Sequence, residues 1–78
     1  MEHYKRYPEN DAPGIYQLTV IYRFHNGHPP RVSIYTFSGL HLVAVFKETV
    51  VGKYFADPKV SSSCTLEFKL TLADEIKN

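Results

Sequence analysis

The clearest pattern along this chain is an alternation that begins at Tyr16. Tyr16, Leu18, Val20, Tyr22 and Phe24 fall on one side, and Gln17, Thr19, Ile21, Arg23 and His25 on the other. A period of two in β-branched and aromatic residues predicts a strand. Asn26-Gly27 follows, a pair that accepts the positive backbone angles of a hairpin turn. Pro29 and Pro30 have no N–H to give a ladder and belong to the loop. A second run extends from Arg31 to Phe37.

The expectation is a β-hairpin whose loop is residues 26–30. This sets His25 opposite Arg31, Arg23 opposite Ser33, Ile21 opposite Tyr35 and Thr19 opposite Phe37. Phe24 then meets Val32, Tyr22 meets Ile34 and Val20 meets Thr36. Such a register gathers Arg23, His25, Arg31, Tyr35 and Phe37 on one face, away from an ordinary apolar core. A slip of one residue would mix the two sets.

The last alternating run is the cleanest. Cys64, Leu66, Phe68, Leu70 and Leu72 share one side, and Thr65, Glu67, Lys69 and Thr71 the other. It predicts a half-buried, half-wet strand. Asp57-Pro58-Lys59 reads as a type I turn, with proline at its second position.

Residues 38–55 fit two patterns. As a helix, Ser38 is the N-cap, and Leu40, Val43, Ala44, Val50, Val51, Tyr54 and Phe55 make the apolar stripe. Lys47 then interrupts that stripe, and Leu42 and Val45 lie on its back. As strands, Ser38-Gly39 is a tight turn, Leu40–Phe46 and Val50–Phe55 are strands, and residues 47–49 turn between them. Val43, Val45, Thr49, Val50 and Val51 are β-branched and Gly52 is a poor helix former, which tips the reading toward strands. The fold class expected is therefore mainly β: a small single-domain antiparallel sheet, a meander that can fold into two layers. The alternative is α+β in ββαβ order, with a helix at about 39–55. Residues 1–14, rich in proline and turn formers, read as a flexible N-terminal arm, residues 15–72 as the domain and residues 73–78 as a polar tail.

Size sharpens the question of what holds this domain together. A chain of 78 residues buries only about 60–65% of the surface its unfolded form exposes. Its core alone supplies about 3–5 kcal/mol. Cys64 is the only cysteine, which excludes an intrachain disulfide and the cysteine-based zinc sites. Self-association or docking on a larger protein is the remaining support.

The formal charge is +1, from nine Lys and Arg against eight Asp and Glu. No bulk attraction to nucleic acid follows. Residues 1–6 lack the apolar core of a signal peptide, and no stretch nears the roughly 18 apolar residues of a membrane span. The location expected is the cytoplasm, with no membrane partner.

Candidate chemistry is sparse. His25 and His28 could share a metal, but no third ligand lies near them in sequence. Cys64 could pair with a histidine as nucleophile and base, yet its pattern turns it toward Leu66 and Phe68, where thiols are inert. No paired carboxylates and no phosphate-cradling glycine loop are present. The expectation is no enzyme, no cofactor and no metal site.

The expected partner-binding residues are Arg23, His25, Arg31, Tyr35 and Phe37, because exposed Tyr, Phe and Arg together match the make-up of interface hot spots. The function expected is a protein-binding module that occludes a larger protein, self-associates as a homodimer, or both. Its size and style match the accessory inhibitors of phages and mobile elements, which is an analogy. The alternative is single-stranded nucleic-acid binding, with Tyr35 and Phe37 stacking bases and Arg23, Arg31 and Lys47 holding phosphates.

Overall fold

A computed structural model describes residues 14–73 of the chain. Its elements are β1 (Ile15–Phe24), β2 (Arg31–Ser38), α1 (Leu40–Ala56), a short helical turn α2 (Pro58–Ser61) and β3 (Cys64–Leu72). Of the two arrangements open from sequence, this is the α+β one, with its main elements in ββαβ order. The arm expected at 1–14 lies outside the described residues except for Gly14, and the tail expected at 73–78 lies outside them except for Ala73.

The strands form one antiparallel sheet in the order β2-β1-β3. β2 and β3 flank β1 and run parallel to each other, so the chain must cross the sheet between them. Such a crossing needs a dozen or more residues and is usually made by a helix. Residues 39–63 make it. That requirement overrides the β-branched content of 40–51, whose helical penalty is only a few tenths of a kcal/mol per residue.

The helix is held by packing. Leu40, Val43, Phe46 and Val50 recur at helical spacing and pack on Tyr16, Leu18 and Val20. This stripe is turned from the one expected. Phe46 takes a core position, while Ala44 and Phe55 are exposed. Lys47, the charged residue within the apolar stripe, places its Nζ 5.3 Å from the ring centre of Phe68. Its stem covers apolar surface and its charge meets the ring face.

Gly39, and not Ser38, precedes the helix. Its φ of 95° and ψ of 145° lie in a region essentially reserved for glycine. Its N–H donates to the Gly14 carbonyl at 2.9 Å. Pro58 ends α1 by forcing the residue before it out of the helical region; Asp57 has φ −116° and ψ 102°. The expected type I turn is instead the start of α2. Asp57 Oδ1 accepts from the Lys59 N–H at 3.0 Å, and Pro58 occupies a first-turn position that needs no N–H.

The hairpin register differs from the expected one. Tyr22 pairs with Arg31, Val20 with Ser33, Leu18 with Tyr35 and Tyr16 with Phe37. Tyr22 thus meets Arg31 where Ile34 was expected. The physical reason lies on the other side of β1. Phe24 pairs with Cys64 of β3, and the His25 N–H donates to the Ser63 carbonyl at 2.9 Å. The end of β1 is therefore taken up by β3, and β2 begins only after both prolines. The displacement is odd, so every β2 side chain changes face.

The core cluster lies on the α1 side of the sheet, while Ile21, on the other face, is buried apart from it. Tyr16, Leu18, Val20 and Val43 are buried between sheet and helix, with Tyr22, Phe37, Leu66, Phe68 and Leu72 packed around them. No helix among the described residues is long and apolar enough to cross a membrane.

Candidate functional site

The register decides where the five expected partner-binding residues lie, and it divides them. Arg23 and His25 stay on the face away from α1. Arg31, Tyr35 and Phe37 move to the α1 side, because they pair with Tyr22, Leu18 and Tyr16. The single aromatic and basic face expected from sequence is not formed.

Each residue has local company. Arg23 Nε donates to Glu67 Oε1 at 2.9 Å. This diagonal cross-strand pair is about half exposed, so it contributes only about 0.2–1 kcal/mol. His25 Nε2 lies 3.0 Å from Thr65 Oγ1. Tyr35 and Phe37 pack on Phe46 of α1, with ring centres 4.6 Å and 5.2 Å from it. Arg31 lines a cleft of about 360 Å³ at the hairpin end of the sheet, with Lys53, Tyr22, Phe24 and Tyr54 among the other lining residues.

The groups considered for chemistry are placed as follows. Cys64 is buried, its thiol 3.4 Å from the Val60 carbonyl oxygen. The His28 N–H donates to Asn26 Oδ1 at 3.0 Å, which holds the hairpin loop. Among the described residues no three His, Cys, Asp or Glu side chains converge as metal ligands would.

The more informative feature is the backbone of the two outer strands. In an antiparallel ladder, hydrogen-bonded residues exchange both bonds, and successive residues aim their backbone groups to opposite sides. The bond from Gly39 N–H to Gly14 O extends the β1–β2 register by one pair. It follows that Arg31, Ser33, Tyr35 and Phe37 aim their backbone groups at β1. Val32, Ile34, Thr36 and Ser38 aim theirs outward, at the free edge of β2. The same logic applied to His25 N–H and Ser63 O turns the backbone groups of Cys64, Leu66, Phe68, Leu70 and Leu72 outward from β3.

These two edges are finished differently. At β3, the Tyr54 hydroxyl donates to the outward carbonyl of Cys64 and lies 3.2 Å from that of Ser61. Glu67 and Lys69 add charge to the strand. At β2, no strand pairs with the outer edge among the described residues. Val32 to Ser38 holds no charge and no proline, two devices that protect natural edges.

Apolar surface flanks that open edge on both sides. Val32 and Ile34 stand on the open face at 53% and 59% exposure, and Tyr35 on the helix side at 39%. Leu42 and Val45 are 49% and 47% exposed, and Leu42 lies one turn before Phe46, the residue that touches Tyr35. Tyr35 is therefore the one expected site residue that belongs to this band. Val32, Ile34, Leu42 and Val45 were not among the expected site residues. Their signal in sequence is the charge-free run after Arg31 and the two apolar residues on the back of the helical stripe.

Comparison with protein-family models, with curated proteins and with solved structures returned no match.

Proposed function

We propose that this chain is a non-enzymatic protein-binding module that docks through the open edge of β2. In this reading it acts in the cytoplasm by occluding a surface of a larger protein, by self-association, or by both. Accessory inhibitors of phages and mobile elements are the functional type it fits by size and style. The observation that carries the reading is the uncharged edge from Val32 to Ser38, unpaired among the described residues and flanked by Tyr35, Val32, Ile34 and Leu42. A partner strand laid along such an edge gains main-chain hydrogen bonds for affinity and side-chain contacts for specificity.

The nucleic-acid alternative has less support in this geometry. Its stacking residues pack on Phe46 and Arg23 is engaged by Glu67, while phosphate neutralisation dominates such affinity. Fluorescence anisotropy with a labelled single-stranded oligonucleotide at low salt should give no saturable binding.

The docking reading is tested with two baits in an extract of the source organism. The wild-type chain should retain a protein, a foreign one or its own copy, that Thr36→Pro does not retain. Proline at 36 removes an outward N–H and leaves the bonds from β2 to β1 in place. Equal retention by both baits, or none by either, contradicts the docking reading.

A further inference from the structure

We infer that the open edge of β2 pairs with β2 of a second copy of this chain, antiparallel, across a two-fold axis at Tyr35. This rests on the reading that β2 is the docking edge, and it names the occupant.

Backbone geometry selects the register. An outward-facing residue of one copy must meet an outward-facing residue of the other for both to bond. With the axis at Tyr35, Ile34 meets Thr36 of the second copy and Val32 meets its Ser38. Every outward N–H and C=O from Val32 to Ser38 is then satisfied. With the axis at Ile34, Ser38 faces Pro30, which has no N–H to donate. With the axis at Thr36, Val32 faces Leu40, which already belongs to α1. The Tyr35 axis is the complete one of the three.

The side chains agree with it. An axis perpendicular to the sheet keeps both helices on the same face. Each α1 lies over the β1–β2 half of its own sheet, so the two helices become neighbours across the new strand pair. Leu42, about half exposed in one copy and one turn before Phe46, then faces the seam, and the two Tyr35 side chains meet beneath it. Val32 and Ile34 line the seam on the opposite face. No charge lies between Val32 and Ser38, so the axis brings no like charges together, and Arg31 falls opposite Gly39 at either end. A standard interface takes roughly 800 Å² from each partner. A single eight-residue strand edge supplies part of that, and the helix flank is the surface that extends it.

Sedimentation of the full chain over a range of micromolar concentrations is the first arm of the test. The wild type should sediment at twice the chain mass. Thr36→Pro should sediment at the chain mass with an unchanged circular dichroism spectrum. The second arm does not depend on the fold surviving proline. Residues facing each other across an unbonded antiparallel pair lie about 4.5 Å apart at Cα, within disulfide range. Tyr35→Cys should therefore crosslink to a covalent dimer under mild oxidation, while Ile34→Cys, which faces Thr36, should not; Cys64 is buried and remains in both variants. Preferential crosslinking through position 34 overturns the register. A wild type that sediments only as a monomer overturns the dimer. The docking reading survives that second result if a foreign protein is still retained by the wild type and lost with Thr36→Pro.

Discussion

β2 and β3 are the two outer strands of one small sheet, and they meet solvent in opposite ways. β3 is an outer strand whose start is covered by its own chain. Its apolar side packs on the core through Leu66, Phe68 and Leu72. Its polar side carries Glu67 and Lys69, and Tyr54 takes up its first outward carbonyl. Its exposed large apolar residue, Leu70, stands beside Lys69. β2 has apolar or aromatic residues on both faces, no charge after Arg31 and, among the described residues, no strand against its outer edge. An isolated strand of that kind is an aggregation hazard. The contrast teaches that the two edges are finished differently in this fold: β3 carries charge and is capped at its start by Tyr54, and β2 from Val32 to Ser38 has neither device among the described residues.

Phe68→Ala attacks the β3 side and should have the largest effect. Truncating a core phenylalanine costs about 3–5 kcal/mol. Phe68 is partly buried, so the low end applies, which is still most of the stability a domain of this size holds. Urea denaturation reads it. Tyr35→Ala should cost only about 1 kcal/mol in the same assay, mostly its aromatic contact with Phe46. Equal losses at the two positions would make Tyr35 a core residue and erase the contrast.

Gly39→Ala tests the joint that sets α1 over β2. A β-carbon there would meet no neighbour within 4 Å, so backbone strain alone acts. The expected loss is about 1–3 kcal/mol, seen as a lower urea midpoint with an unchanged slope. Tyr54→Phe removes the hydroxyl that closes the start of β3. A net hydrogen bond contributes about 0.5–1.5 kcal/mol, and a loss in that range is expected, with faster exchange at neighbouring amides. The smallest effect belongs to Arg23 and Glu67. A double-mutant cycle to alanine should give a coupling below about 1 kcal/mol that fades with added salt.

The strands were legible in the sequence because both faces of β1 and β3 obey a period of two. Cys64, Leu66, Phe68 and Leu72 fall on the expected side, with Cys64 fully buried. The hairpin register was not. Asn26-Gly27 marks a turn without setting its length, and nothing local states that β3 will take up Phe24 and His25. That one interaction moved Tyr35 and Phe37 to the helix side and dissolved the face that Arg23, His25, Arg31, Tyr35 and Phe37 were expected to share. Residues 40–56 were ambiguous for a related reason. Their composition favours strands, and only the need to cross the sheet from β2 to β3 decides for the helix. The open edge of β2 depends on strand order, which no run of residues encodes alone.

Amide hydrogen exchange along β2, followed as a function of protein concentration, tests the central claim most directly. Ser33, Tyr35 and Phe37 donate to β1 and should be protected at every concentration. Val32, Ile34, Thr36 and Ser38 should exchange freely in dilute solution and become protected as concentration rises. If those outward amides are protected equally at all concentrations, another part of the same chain covers the edge. If they stay open at all concentrations and with any retained partner present, the edge is not a docking site; either result contradicts the account.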